Sequence, residues 1–282
     1  MNLTHGHPLV VAPFFQQFVD WPSRLLVSSG VEEGQGQFVP RPPWRAPTAA
    51  ELVALFPDPA AAPHQDFEHS LCLFALPLHL QSAWWDLVVR AQPTATASLE
   101  GFDSLVREVA GFLAFKGLAV PDGARFDLVA SQPEQRSIRY SAAGAPSEGL
   151  AFDLSPETTW PISQQHRLAR LWGGINLGDE AIWLVLINLT AGQVHDLLAR
   201  CGAGLPPAAT LGELANRFLT CLPNYPPVRL RVEPGEGYRL PAGGILVDVC
   251  TLGLNGPAAL LMIGDQAGHR RLGQEQGLPH KA

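Results

Sequence analysis

Residues 182–189, IWLVLINL, run directly into Thr190-Ala191-Gly192-Gln193, and this junction decides the fold. The apolar run predicts a short strand. Thr190 and Gln193 have the spacing of a capping box, in which each side chain accepts a hydrogen bond from the backbone N–H of the other residue. The helix opened by this box is expected to run through Leu198, with Gly202 suited to its end. The junction therefore predicts a strand that leads at once into a helix.

Outward from this junction, apolar residues recur with a period of two from Arg125 onward, which is the spacing of strands. The strands predicted on this basis are 126–129, 138–140, 168–177, 182–189, 228–232, 244–251 and 258–263. A second capping box, at Thr210 and Glu213, predicts a helix through Leu222. Residues 235–237 (GEG) are predicted as a turn between two strands, because they lack the spacing and the following helix of a phosphate-binding loop.

The first 120 residues have a different pattern. Residues 31–47 are rich in glycine and proline and are predicted to be an extended loop. Apolar residues at three- and four-residue steps predict helices at 81–92 and 98–118, and Ser98 is a suitable N-cap for the second. The order along the chain is therefore helices first, then seven or eight short strands with a helical insertion.

This order predicts a mainly β protein with flanking helices, of the α+β class. The expected architecture is a two-sheet jelly roll, cupin-like, with the N-terminal helices packed on one outer face. A parallel sheet would need helices between nearly all of its strands. We expect a single domain over 1–282, with an N-terminal loop and helical part (1–120) that buttresses a jelly-roll core (121–268), and a flexible tail (269–282).

Composition limits the class of function. The net charge is −7 and only two of the 19 basic residues are lysines, without a basic block, so we expect no nucleic-acid partner. The longest apolar stretch, 71–80, is too short to span a bilayer and no secretory signal is visible, so we expect a cytoplasmic protein without membrane contact. The cysteines lack C-x-x-C spacing, which favours reduced thiols over a zinc site, with disulfides left open. They are Cys72, Cys201, Cys221 and Cys250.

A string of short motifs runs through the second half, roughly 126–264. They are 149–153 (GLAFD), 167–170 (RLAR), 175–178 (INLG), 184–189 (LVLINL), 225–231 (YPPVRLR), 234–238 (PGEGY) and 247–251 (VDVCT). Together they resemble a bacterial branch of the Fe(II)/2-oxoglutarate-dependent dioxygenase-like proteins, and the resemblance implies a double-stranded β-helix core. The first 120 residues add nothing to it.

The resemblance also implies a metal site, and the sequence departs from it there. The family holds Fe(II) with a His-x-Asp pair and a distant His. Ala151, Asp153 and Val247 stand at those three positions, so only Asp153 can ligate a metal and no metal or cofactor is expected. The family's carboxylate anchor for 2-oxoglutarate has no counterpart between residues 251 and 269, although Arg229 or Arg231 could substitute from a neighbouring strand.

The candidate site residues follow from the same alignment. Asp153 and Asp248 are the candidate catalytic pair, because two carboxylates in one pocket can perform acid–base work. The alternative is that each carboxylate bonds nearby backbone. The residues expected to line a ligand pocket are Trp172, Asn176, Arg229, Arg231, Tyr238 and His166.

Three functions fit these observations. The first is a degenerate dioxygenase-like protein that binds a small molecule or a partner protein in the old pocket. It would act as an accessory subunit in natural-product biosynthesis or perform metal-free chemistry. The second is a working hydroxylase that uses Fe(II) and 2-oxoglutarate with ligands drawn from His64, His69 or His166. The third is an interaction protein without a pocket. A homodimer is compatible with each of them.

Overall fold

The structure is a computed structural model that describes residues 9–11, 21–34, 37–55, 70–90, 101–118, 120, 122, 124–131, 151–152, 171–206, 209, 211–241, 244–251, 253–256 and 258–264. These residues form a mixed α+β fold. The helices are α1 (Trp21–Arg24), α2 (Ala49–Leu55), α3 (Leu78–Arg90), α4 (Phe102–Phe115), α5 (Ala191–Arg200) and α6 (Leu211–Cys221). The strands are β1 (Leu9–Val11), β2 (Leu25–Val27), β3 (Val31–Gly34), β4 (Gln37–Pro40), β5 (Leu71–Ala75), β6 (Arg125–Ser131), β7 (Ala151–Phe152), β8 (Leu171–Asn176), β9 (Ile182–Thr190), β10 (Val228–Val232), β11 (Glu236–Arg239), β12 (Ile245–Cys250) and β13 (Ala258–Gly264).

The strands form two large sheets and one hairpin. The first sheet has the order β1-β5-β11-β8-β13-β6, and the second has the order β2-β10-β9-β12-β7. The β3–β4 pair stands apart as a two-stranded sheet. Neighbouring strands are antiparallel except for β1 and β5, which are parallel. Antiparallel pairing suits short connections and leaves one face of each sheet available for a core.

Each face of the first sheet belongs to a different hydrophobic core. Because side chains alternate along a strand, Leu260 of β13 lies in the core shared with the second sheet, α5 and α6. Leu261 and Ile263 of the same strand lie in the other core, with Trp84 of α3 and Leu113 of α4. The helices predicted at 81–92 and 98–118 are thus confirmed as α3 and α4, and they cover the outer face of the first sheet.

The strand-to-helix junction is confirmed. Thr190 Oγ1 accepts a hydrogen bond from the Gln193 backbone at 3.3 Å, and Gln193 Oε1 accepts one from the Thr190 backbone at 3.0 Å. The box satisfies two of the N–H groups that a helix start leaves unpaired. After α5, Gly202 adopts φ 69°, a left-handed conformation that ends the helix without strain.

Three local predictions were wrong. Residues 31–34 and 37–40 form the paired strands β3 and β4 instead of loop, since an edge strand tolerates the proline at Pro40. Helix α4 begins at Phe102 after Gly101, whose φ of 90° breaks the helix there, so the predicted cap at Ser98 was misplaced. Glu236 and Gly237 belong to β11, which leaves Gly235 in the turn.

The N-terminal part also contributes strands that the sequence did not predict. Strand β2 pairs with β10 at the edge of the second sheet, and β5 pairs with β11 in the first. Covering a sheet edge in this way removes unpaired backbone groups from solvent. The predicted strand at 138–140, the cap at Thr210 and the tail at 269–282 lie outside the described residues. Among the helices described, none has the length and apolar character needed to cross a bilayer.

Candidate functional site

The two positions that the resemblance assigns to metal-binding histidines are direct neighbours. Ala151 on β7 and Val247 on β12 are opposite each other in the antiparallel ladder. Residues paired in this way point to the same face, with Cβ atoms about 4.5–5.5 Å apart. Two imidazoles placed here would therefore be close enough to share one ion. Alanine and valine carry no donor atom, and Val247 is buried.

The second sheet has two chemically different faces. One row of paired residues runs Ala151, Val247, Leu186, Val228 and Val27 across the five strands. The side chains of this row are apolar, and those with a determined exposure are buried. Most alternate residues beside the row are also apolar and buried, and Asn188 of β9 is a buried polar exception. We call this the apolar face. It belongs to the core that also contains the first sheet.

The next row runs Asp248, Val185, Arg229 and Leu26. Because successive side chains alternate across a strand, this row lies on the opposite face of the sheet from Ala151 and Val247. Arg231 lies two residues beyond Arg229 and shares its face, as the sequence predicts. We call this the polar face. The structure therefore does not bring Asp248, Arg229 or Arg231 to the positions that the resemblance assigns to the metal ligands.

The Asp248 carboxylate accepts a hydrogen bond from the backbone of the next residue. The residue is 7 % exposed, and its Oδ1 accepts a hydrogen bond from the backbone N–H of Val249 at 2.8 Å. A bond to an adjacent N–H is the kind of local role that the sequence analysis left open for this carboxylate. Asp153, its proposed partner in acid–base work, lies outside the described residues.

Arg229 has the most unusual surroundings of the candidates. The carbon at the centre of its guanidinium lies 4.4 Å from the centroid of the Trp183 ring and 5.6 Å from that of Trp44. One terminal nitrogen, Nη2, lies 3.9 Å from Cys250 Sγ, a weak acceptor. Its Nε is buried and has no hydrogen-bond partner within the described part of the chain. Burial lowers the pKa of this guanidinium, and the nearby Cys250 opposes that shift.

Arg231 differs from its neighbour because it already has an anionic partner. Its Nε lies 3.1 Å from a carboxylate oxygen of Glu233, and 47 % of its side chain is exposed. A solvent-exposed pair of this kind contributes little to stability. Its geometry gives no sign of a ligand pocket.

Asn176 and Tyr238 serve the packing of the first sheet. The Asn176 amide donates to the carbonyls of Glu180 and Val232 at 2.9 and 3.0 Å, and its Oδ1 accepts from Gly178 at 3.0 Å, so it fixes the turn after β8. Tyr238 is fully buried. Its ring lies over Gly174, where a Cβ would come within 2.8 Å of the tyrosine oxygen.

Several candidates cannot be placed. Trp172 belongs to β8, but its side chain is not described. His166, His64 and His69 lie outside the described residues. Within those residues, no group of three or more histidine, cysteine or acidic side chains is close enough to hold a metal ion. All four cysteines are free thiols.

Two features were missed by the sequence analysis. Trp44 reaches Arg229 because Arg45 pairs with Val27 and so extends the second sheet beyond β2. The sequence around Trp44 is rich in proline and has no apolar periodicity, so nothing in it predicts the contact between Trp44 and Arg229.

An open depression of about 600 Å³ also lies beside α5, and it is lined by Leu189, Gln193, Asp196, Leu197, Ala199 and Arg200.

The fold and the two faces of the second sheet define an α+β protein built on two packed, largely antiparallel sheets. Comparison with known protein families and with curated proteins finds no match for this chain.

Proposed function

We propose that the protein is a double-stranded β-helix protein of the 2-oxoglutarate dioxygenase type that has lost its iron site and binds a small molecule without the metal. The strand order supports the fold. When β6 to β13 are counted as one to eight, the antiparallel pairs are one with eight, two with seven, three with six and four with five. A long antiparallel ribbon wound on itself produces these pairs, as in a jelly roll.

The observation that carries the proposal is the pairing of Ala151 with Val247. The resemblance selects these two positions from motifs that are almost a hundred residues apart in the sequence. A chance alignment has no reason to select two positions that lie opposite each other on neighbouring strands. Their juxtaposition supports the shared ancestry, and their aliphatic side chains support the loss of iron, because Fe(II) needs nitrogen or oxygen ligands.

The position of Asp248 disfavours acid–base catalysis by the two candidate carboxylates. Metal-free acid–base catalysis by Asp153 and Asp248 together requires one shared pocket, but Asp248 is on the face opposite Val247. We therefore favour binding over catalysis by that pair. The alternative of an active hydroxylase draws its ligands from histidines outside the described residues, and no contact in the described part favours it.

Restoring the imidazoles tests the proposal. The variant that combines Ala151→His with Val247→His should bind Co(II), a spectroscopic substitute for Fe(II), whereas the wild-type protein should not. The matched control combines Leu184→His with Val249→His, a pair that is also directly opposite on the same face, two residues along β12. Anaerobic Co(II) titration followed by visible absorption measures the affinity, and circular dichroism verifies folding.

Two outcomes would contradict the proposal. If the folded restored variant binds Co(II) no better than the control pair, the two positions are not an inherited metal site. If the wild-type protein gives a visible charge-transfer band with Fe(II) and 2-oxoglutarate, the iron chemistry is retained and its ligands lie elsewhere.

A further inference from the structure

We infer that Arg229, Trp44 and Trp183 form a binding site for a carboxylate-bearing small molecule on the polar face of the second sheet. This site is on the opposite side of the sheet from Ala151 and Val247. It therefore does not depend on whether the protein descends from the dioxygenases.

The two tryptophans approach Arg229 from opposite sides of its strand. Trp183 lies on β9, which is one neighbour of β10. Trp44 lies next to Arg45, which extends the sheet beyond β2, the other neighbour. Both rings are within the distance at which an aromatic face attracts a cation. Two partly exposed indoles therefore lie close to the guanidinium and restrict the access of water to it.

The charge of Arg229 has no anionic partner among the described residues. A guanidinium carries five N–H donors, and the contacts of this one are two rings and a thiol. By contrast, Arg24 lies against the carboxylate of Glu236 and Arg45 lies against that of Glu51. A partly buried cation without such a partner is costly, and binding an anion recovers part of that cost.

The ligand chemistry follows from the shape of the guanidinium. Its planar edge matches the two oxygens of a carboxylate, which it can bind with two parallel hydrogen bonds. A flat carboxylate can lie in the plane of the guanidinium, whereas a tetrahedral phosphate is bulkier beside the two indoles. The neighbouring Arg231 does not compete for the same anion because Glu233 already lies against it.

The wild-type protein provides the first test. Acetate is the probe, and phosphate and chloride at equal ionic strength are the comparisons. We expect acetate to cause a saturable shift of the Arg229 Nε–H resonance and of the Trp44 and Trp183 indole N–H resonances in ¹H–¹⁵N spectra. A shift that is equal in chloride, that never saturates, or that saturates in phosphate but not in acetate would overturn the assignment.

Variants provide the second test. Arg229→Gln should lower the affinity for acetate by at least about tenfold, because the charged guanidinium is lost. The affinity is measured from the indole N–H resonances. Arg231→Gln is the matched control on the same face and should retain wild-type binding. Equal losses in both variants, or no loss in Arg229→Gln, would refute the site. If Arg229→Gln does not fold, the titration of the wild-type protein still decides whether the site exists. Arg229→Lys keeps the positive charge but lacks the planar set of N–H donors, so it should also weaken acetate binding.

Discussion

Two partly buried arginines, Arg24 at the end of α1 and Arg229 on β10, differ in how their charge is compensated. Arg24, at the end of α1, donates from Nη1 to both carboxylate oxygens of Glu236 at 2.9 and 2.7 Å. Glu236 is also held by the backbone N–H of Glu233 at 2.9 Å. Arg229 has two indoles and a thiol instead.

The difference separates a structural charge from an available one. The Arg24–Glu236 pair joins the N-terminal part of the chain to the first residue of β11, across 212 residues of sequence. Each partner neutralises the charge of the other. Arg229 is held in place by aromatic contacts that leave its charge without an anion in the described part of the chain. Substitutions at these and at other buried and exposed contacts test this difference.

The largest effect is expected for Glu236→Gln. This change leaves Arg24, which is only 17 % exposed, without its anion. Removing one member of a buried pair is strongly destabilising, and we expect a loss of about 3 kcal/mol in the free energy of unfolding. Urea unfolding measures it. A loss below about 0.5 kcal/mol, the range of ordinary surface substitutions, would show that this pair is not a structural anchor.

A buried hydrogen bond without charge should have the next largest effect. Tyr225 donates to Asn188 Oδ1 at 2.9 Å, and both residues are buried. Burial also raises the pKa of this tyrosine. Tyr225→Phe removes the donor and should cost about 1–2 kcal/mol. Thermal and urea unfolding should agree on this value, and a cost above that of Glu236→Gln would reverse the expected ranking of charged and neutral contacts.

An exposed arginine–carboxylate pair should matter less. Arg45 donates to both oxygens of Glu51 at 2.8 and 2.7 Å, and Glu51 also accepts from Thr48 at the start of α2. The Arg45 guanidinium, helped by Thr48 and opposed by burial, lowers the pKa of Glu51 to about 2. Because Arg45 is half exposed, Glu51→Gln should cost only about 0.5–1 kcal/mol at neutral pH.

The pH dependence of this pair has a definite sign. The pKa of Glu51 is lower in the folded than in the unfolded state, so its contribution is complete above the unfolded value near ~4.3 and is lost as the pH falls towards 2. Unfolding curves of wild type and Glu51→Gln should therefore converge on acidification. Curves that stay parallel down to pH 2 would show that the contact is absent in solution.

The smallest effect is expected for Arg229→Met. The change removes the contacts with Trp183 and Trp44, each worth about 0.5–1 kcal/mol, but also removes the cost of burying a cation without an anion, which offsets them. We expect the free energy of unfolding to stay within about 0.5 kcal/mol of wild type, or to rise. A loss as large as that of Glu236→Gln, measured under the same conditions, would make Arg229 a structural residue and end the distinction drawn above.

Local chemistry made part of this structure predictable. The capping box at Thr190 was predictable because it depends only on two residues that are three positions apart. Strands β9, β10, β12 and β13 consist of residues that favour strands, and their observed bounds agree with the predicted ones to within one or two residues. Strands β3 and β4 were missed because the glycines and prolines around them resemble a loop. The contacts of Arg24 and Arg229 give no local signal, because their partners are distant in the chain.

The sequence by itself determined the class of fold, the main strands of the second half, and the absence of imidazoles at Ala151 and Val247, since these depend on residue identity and short-range spacing. Only the tertiary structure decided that those two positions face each other, and that Asp248 and Arg229 lie on the other side of the sheet. The physical reason is strand register. A shift of one residue in pairing would move every side chain to the opposite face, and the register depends on contacts between strands that are far apart in the chain.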